Sequence, residues 1–275
     1  MASFSLLTIN SWKCDGAYAQ RMRLLAQGLI DLAPDVVALQ EAFTAGDGSA
    51  DTAARLAAAT GLRALQAPAR PRLRWLDGRE VPSFSGQAVL TRLAVQHAQS
   101  LTLPSSDADG GRVAQVVQLQ LGGYSVTVAN VHLSHVGGAC GDALRQRQLR
   151  SVLDHLDQIG PRSLTVVCGD FNAPLSSPAL SAFMGAPWHL QDSFALAAQP
   201  REPTHVDGSG HGQVLDHVLV VPGLCLARVE VTSAATVLRA DRPDGRGIAP
   251  SDHSALQVGW RLSPAAGPRP ETGGP

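Results

Sequence analysis

Short apolar or alternating runs recur along the whole chain, each soon broken by polar or turn-forming residues, and this beat constrains the fold more than any other feature. The runs lie at residues 4–10, 36–40, 86–91, 113–121, 124–133, 164–168, 215–221, 229–233 and 254–260. Runs of this length, rich in Val, Leu and Ile, read as strands. Two of them are joined by Gly122-Gly123, a two-residue hairpin signal, so the sheets are not purely parallel. Helical stripes fall between others. Residues 18–32 set Met22, Leu25, Leu29 and Leu32 on one face, and 51–60 and 143–158 behave alike. Ser177-Pro178 reads as the N-cap and first-turn proline of a short helix ending near Met184. Hairpin-linked strands with helices packed outside them imply an α+β layered sandwich rather than a doubly wound sheet.

At 275 residues the chain is long enough for one large core, and nothing in it resembles a linker between two. One domain over 1–262 is expected. Residues 263–275, broken by Pro and Gly and nearly free of apolar side chains, are expected to be a disordered tail. Two other stretches lack a regular pattern and read as surface loops able to shape a site. Residues 69–85 carry Arg70, Arg72, Arg74, Trp75 and Arg79, and residues 199–213 carry Thr204, His205 and His211.

A formal net charge of −1 supplies no global pull toward nucleic acid or an anionic membrane. Lys13 is the one lysine, so arginine carries nearly all the positive charge. The cysteines, Cys14, Cys140, Cys168 and Cys225, have no C-x-x-C spacing, which argues against both zinc and a disulfide framework. No secretory leader pattern and no long apolar span is visible, so a cytoplasmic location without stable membrane insertion, and a monomer by default, are the expectations.

Several strand-like runs end in polar residues that structure alone does not require. Run 36–40 leads to Glu41, run 124–133 holds Asn130 and His132 near its end, and run 164–168 leads through Gly169 to Asp170 and Asn172. Loops at neighbouring strand ends converge on one crevice in layered sheet proteins, which turns these residues into a site hypothesis. Singly, each has an ordinary reading: a loop carboxylate, an Asx turn, a half-buried histidine. Jointly, carboxylates with amide oxygens suit Mg²⁺, and no clustered His or Cys spacing favours zinc.

The segments Thr8-Ile-Asn10, Leu39-Gln40-Glu41, Asn130-Val-His132-Leu133, Gly169-Asp170-Phe171-Asn172, Leu215-Asp216-His217-Val218 and Ser251-Asp252-His253 together resemble the endonuclease/exonuclease/phosphatase superfamily over residues 4–260. The resemblance implies a four-layer α/β sandwich, two facing mixed β-sheets flanked by helices, with a site at one rim. It further implies metal binding by Glu41, assisted by Asn10 and Asp252, with Mg²⁺ or Mn²⁺ as the ion. Asp170 is then the group that orients or deprotonates the attacking water, Asn172 a phosphoryl contact, His253 an imidazole facing the phosphate with Asp216 as its partner, and His132 a second donor. Asp170 and His253 both stay open as general base. Asn130, Arg112 and Thr204 are the expected substrate contacts, while His135, Cys140, His189 and His211 receive no role.

The expected chemistry is hydrolysis of a phosphodiester by in-line attack of water. A sequence-independent nuclease on DNA or RNA, a phosphomonoesterase on a small or lipid phosphate, and a non-catalytic binding protein keeping the fold are the alternatives. The Asn-x-His-Leu segment resembles the deoxyribonuclease, sphingomyelinase and inositol-phosphatase branches more than the abasic-site repair branch. With aromatics at 4%, no exposed aromatic hairpin of the membrane-inserting kind is read in the chain. Arg70 to Arg79 with Trp75 between them reads either as a phosphate-tracking, base-stacking loop or as a solvated one.

Overall fold

The computed structural model describes residues 1–207, 209–240 and 247–265. Chain order is β1 (Ala2–Asn10), α1 (Tyr18–Leu32), β2 (Val36–Ala45), α2 (Thr52–Thr60), β3 (Arg63–Leu76), β4 (Arg79–Thr91), β5 (Ala94–Leu103), β6 (Arg112–Leu121), β7 (Tyr124–His132), α3 (Gly138–Ile159) and β8 (Leu164–Asp170). There follow β9 (Gln191–Asp192), α4 (Ser193–Leu196), β10 (His205–Val206), β11 (Gly212–Gln213), β12 (Asp216–Val220), β13 (Arg228–Val237) and β14 (Ala255–Ser263).

Two six-stranded sheets face each other, one ordered β13-β14-β1-β2-β4-β3 and the other β5-β6-β7-β8-β12-β9. Their central strands are covered on both faces, which explains why so many read as nearly continuous apolar runs. In β1, Phe4 and Leu6 pack into the layer between the sheets, while Leu7 and Ile9 pack under the first two helices with Met22, Leu25, Leu29 and Leu56. In β7, Val126 and Val128 join the central layer, and Ala129 and Val131 meet Leu149, Val152 and Leu156 of α3. The result is helix, sheet, sheet, helix: the expected four-layer sandwich.

Each sheet holds one parallel pair, β1 with β2 and β7 with β8, and the other pairings are antiparallel. A parallel pair needs a crossover, and α1 and α3 supply them. Asp51 caps α2 by accepting from the Ala54 amide at 2.8 Å, and Gly61 ends that helix in the left-handed region.

Three sequence expectations change. Residues 69–85 are not a loop but most of the β3–β4 hairpin. Arginines and prolines mask its alternation, and Pro68 and Pro71 are tolerated because β3 is an edge strand whose register slips between those two residues. That hairpin exposes two apolar side chains, Leu73 at 64% and Trp75 at 67% accessible. Strand β5 was likewise hidden, being an edge strand with most side chains outward. The helix expected after Ser177-Pro178 is only a 3-10 turn over Ser181–Phe183. The described residues of 199–213 are irregular apart from the short β10–β11 pair. β14 runs to Ser263, and 266–275 of the expected tail lie outside the described residues.

Candidate active site

Along the inner face of the central strands, side chains turn polar toward one rim. Leu6 gives way to Thr8 and Asn10 in β1, Val36 and Ala38 to Gln40 in β2, Val128 to Asn130 and His132 in β7, Val166 and Cys168 to Asp170 in β8, and Val218 to Asp216 in β12. Alternate residues share a face, so each series is one line of side chains running outward from the apolar layer. Register aligns the line ends: Asn10 lies opposite Gln40, and Asp170 lies opposite both His132 and Asp216. Because β14 runs antiparallel to β1, with Leu256 opposite Thr8, the approach to β14 brings Asp252 and His253 to the same rim.

Local backbone aims the ends. Glu41 sits at a bulge in β2 with φ +54°, a left-handed conformation that turns its carboxylate into the cleft. Gly169 has φ +132°, and a Cβ there would stand 2.0 Å from the Val131 carbonyl oxygen. Only glycine fits, and the close approach it permits delivers Asp170 beside His132. Asn172, φ +51°, donates its amide N–H to Asp170 Oδ1 at 2.8 Å and its Nδ2 to the Leu133 carbonyl at 3.0 Å.

Asp170 is the hub. Its Oδ2 accepts from Asn10 Nδ2 at 3.0 Å and lies 3.4 Å from His132 Nε2 and 3.8 Å from His253 Nε2. His253 Nδ1 meets Asp216 Oδ2 at 2.8 Å, while Asp216 Oδ1 is buried without a protein partner. Burial, with the Asp216 carboxylate adding to it against the pull of His253, raises the Asp170 carboxyl to about 7. Burial alone would depress His253, but the carboxylates of Asp216 and Asp170 outweigh it and raise the imidazole to about 10. His132 is pushed well down by burial, then by the charges of Arg112 and His253. At neutral pH the site therefore holds one cationic and one neutral imidazole around a carboxyl poised to titrate.

Asn10, Glu41 and Asp252 line the same cleft, of about 610 Å³, as Asp170, Asn172, His132 and His253. Lys13 Nζ lies 3.1 Å from Glu41 Oε2 and 3.3 Å from Asp15 Oδ2. Among the described residues the tightest groupings of metal-donor atoms are Asp170, Asp216, His253 and His205, Asp252, His253. Both use His253, whose Nδ1 meets Asp216; the oxygens of Asn10, Glu41 and Asp252 face the same cleft, with Asn10 Oδ1 also accepting the Trp12 N–H.

The expected substrate contacts divide. Arg112 does line the cleft, its guanidinium 3.0 Å from buried Asp109 and 2.8 Å from His135 Nδ1. Asn130 lies deeper, donating to the Leu39 and Ala88 carbonyls at 2.9 and 3.2 Å and accepting from Gln40 at 2.7 Å, so it ties one sheet to the other. Thr204 is buried, and its hydroxyl accepts the amides of Leu215 and Asp216 at 3.0 and 3.1 Å, fixing Asp216 from behind. The sequence reading assigned nothing to Lys13, Asp109 or His135, all of which line the cleft. Lys13 had one signal, being the only lysine in the chain.

A family model described as "Endonuclease/Exonuclease/phosphatase family" matches residues 7–253. The chain belongs to that family. Endonuclease/exonuclease/phosphatase proteins are metal-dependent phosphoester hydrolases, nucleases and phosphatases among them. Solved structures of this fold resemble the chain over nearly its whole length. An endonuclease/exonuclease/phosphatase from Bacteroides vulgatus has TM-score 0.73 and 18% identity, covering 96% of this chain and 100% of that one. D. rerio TDP2 complexed with a single-strand DNA product has TM-score 0.70 and 16% identity, covering 95% and 100%. The human Nocturnin catalytic domain with bound sulfate has TM-score 0.69 and 19% identity, covering 95% and 94%. No curated protein matches significantly. Among the described residues of this family member, no helix is long and apolar enough to cross a membrane.

Proposed function

We propose that this chain is a divalent-metal-dependent phosphodiesterase cleaving by in-line attack of water. The observation that carries the reading is the arrangement around Asp170: a buried carboxyl raised to about 7, facing His132, His253 and Asn10 in one cleft. A general base works best when its pKa lies near the working pH, and Asp170 meets that condition. His253 does not, because a group raised to about 10 is already protonated at neutral pH. In this reading Asp170 takes the proton of the attacking water, a choice between Asp170 and His253 that the two pKa values support.

His253 then acts as a fixed cation facing the phosphoryl oxygens, its ring held by Asp216. His132, kept neutral, donates a hydrogen bond without adding charge, and Asn172 stands beside Asp170 at the cleft wall. The donor set Asn10, Glu41 and Asp252 fits Mg²⁺ or Mn²⁺ in chemistry, being oxygen-rich and anionic. Such an ion, when bound, neutralises charge building on the phosphoryl group.

A second reading, single-stranded nucleic acid as the substrate, is favoured by the far wall of the cleft. Arg72, Arg74 and Trp75 of the β3–β4 hairpin line it, cations beside an exposed ring. Backbone charge and base stacking are the two interactions such strands offer. The test is turnover of bis(p-nitrophenyl) phosphate, p-nitrophenyl phosphate and a single-stranded oligonucleotide with Mg²⁺, Mn²⁺ and EDTA. Diester turnover lost with EDTA and in Asp170→Asn is expected. Preference for the monoester favours a phosphatase, and no turnover on any substrate by folded protein favours a non-catalytic role.

A further inference from the structure

Arg21 is 1% exposed, lies in α1, and spends every N–H of its guanidinium on main-chain carbonyls. Nε donates to Asp15 at 2.9 Å, Nη1 to Ser11 at 2.9 Å and Pro250 at 3.1 Å, and Nη2 to Trp12 at 3.0 Å and Lys13 at 3.1 Å. A buried guanidinium ordinarily pairs with a carboxylate. Here the hydrogen bonds shape backbone instead, and the Trp12 ring lies 4.8 Å over the guanidinium carbon.

The two segments gathered in this way carry site residues. Trp12 and Lys13 are consecutive non-glycine residues in the left-handed region, φ +55° and +41°, a turn that persists only when its surroundings hold it. Within that turn the Trp12 N–H donates to Asn10 Oδ1 at 3.0 Å, which orients the amide so that Nδ2 reaches Asp170. On the other segment, Pro250 leads into Ser251, whose hydroxyl donates to the Asn10 carbonyl at 2.6 Å, and then into Asp252 and His253.

The second crossover repeats the device. Arg145 of α3, also buried, donates through Nη1 to the Ser134 and Val136 carbonyls, both at 2.8 Å, just beyond His132. One arginine from each crossover helix thus grips the loop after the first strand of its own β-α-β unit.

We propose that Arg21 is a positioning residue for cation binding: it fixes the turn after β1 and the 250–253 segment so that Asn10 and Asp252 converge with Glu41. The role rests on the metal-dependent reading above. Lysine keeps the charge but lacks the planar fork, so Arg21→Lys isolates the geometry. Leu29→Ala serves as the control, since Leu29 is buried in the core under the same helix and its apolar side chain makes no hydrogen bond to either segment.

Mn²⁺ binding by calorimetry, Tm, and kcat and KM for bis(p-nitrophenyl) phosphate are measured on the full chain. Arg21→Lys is expected to weaken Mn²⁺ about tenfold or more, the usual range for a group that orients ligands. It is expected to lower kcat on the order of 100-fold, as for small misplacements of reacting groups, with little change in KM. Leu29→Ala should lower Tm and leave Mn²⁺ affinity intact. Should Arg21→Lys not fold, Arg21→Ala refolded with guanidinium ion is the substitute, and recovery of Mn²⁺ binding together with the fold is expected. Wild-type Mn²⁺ affinity in Arg21→Lys, a loss in Leu29→Ala matching it, or a refilled Arg21→Ala that folds without binding Mn²⁺ would each overturn the role. Failure of the unaltered chain to bind Mn²⁺ overturns the metal-dependent reading itself, and the role with it.

Discussion

At the scale of single residues, Asp170 and Asn130 illustrate how position along one line of side chains decides what a polar group does. Both lie on inner strand faces, but Asp170 closes its line at the rim whereas Asn130 sits one step inside His132. Asp170→Asn keeps the size and removes the carboxylate proposed as base, so kcat on a diester should fall about 10²–10⁴-fold while the protein stays folded. In the unaltered chain the cluster of Asp170, Asp216 and His253 should give a rate that declines below about pH 7 as Asp170 gains its proton. An acidic limb that persists in other site variants but tracks a different group would contradict this. Asn130→Leu removes the side-chain donor to the Leu39 and Ala88 carbonyls and one acceptor of Gln40, which keeps Thr8 and Ala38, at a cost of roughly 3 kcal/mol in stability. Urea unfolding checks that figure, and a variant of unchanged stability with a raised KM would return Asn130 to substrate contact. The resemblance made Asn130 legible as important but not as a tie between sheets, because depth along a strand is invisible until both sheets are in place.

Elements show the same division. The strands buried on both faces were readable as apolar runs, and α1 spans the expected 18–32 with Met22, Leu25 and Leu29 of its stripe buried and Leu32 half-buried. The edge strands β3 and β5 were not readable, although edge strand β13 was read in part as 229–233; one long flank of β3 and of β5 has no strand partner among the described residues, and their side chains obey solvent as much as core. The β3–β4 hairpin also changes what the cleft offers, because Leu73 and Trp75 share one outward face beside the rim that carries Asp170 and His253. Trp75→Ala should raise KM for a single-stranded oligonucleotide about tenfold or more, equivalent to one lost stacking contact, and leave bis(p-nitrophenyl) phosphate turnover nearly unchanged. Equal effects on both substrates would remove the base-stacking reading. Strand β8 depends on its glycine: Gly169→Ala pushes a methyl into the Val131 carbonyl, and a loss of several kcal/mol, on the order of the largest overpacking effects, is expected in thermal unfolding. A fully stable Gly169→Ala would mean that β7 and β8 can separate without penalty.

For the whole molecule, the two β-α-β units act as matched halves whose outgoing strands end at one rim, so the site exists only where the sheets face each other. Burying His253 between Asp216 and Asp170 links that site to global stability. The folded-state pKa of about 10 exceeds the unfolded value near 6.5, so the pair's contribution is complete below about pH 6.5 and disappears as pH rises through about 10. Denaturant unfolding at pH 6.5 and pH 10 should show this decline, and Asp216→Asn should flatten it. An Asp216→Asn variant with the parental pH slope would assign the decline to other groups.

What the sequence determined by itself was the layered architecture and the identity of the chemically able side chains. Periodicity is a local property, and the motif segments are local too, so both survive being read along one dimension. Tertiary structure alone decided which of those side chains share a cleft, that Thr204 and Asn130 brace it from within, that an arginine in each crossover helix shapes the loop beside it, and that residues 69–85 form a wall. Each of these depends on register between strands far apart in the chain, on the burial that raises Asp170, and on the neighbouring carboxylates that raise His253 against its own burial, quantities that arise only when two sheets close over one another.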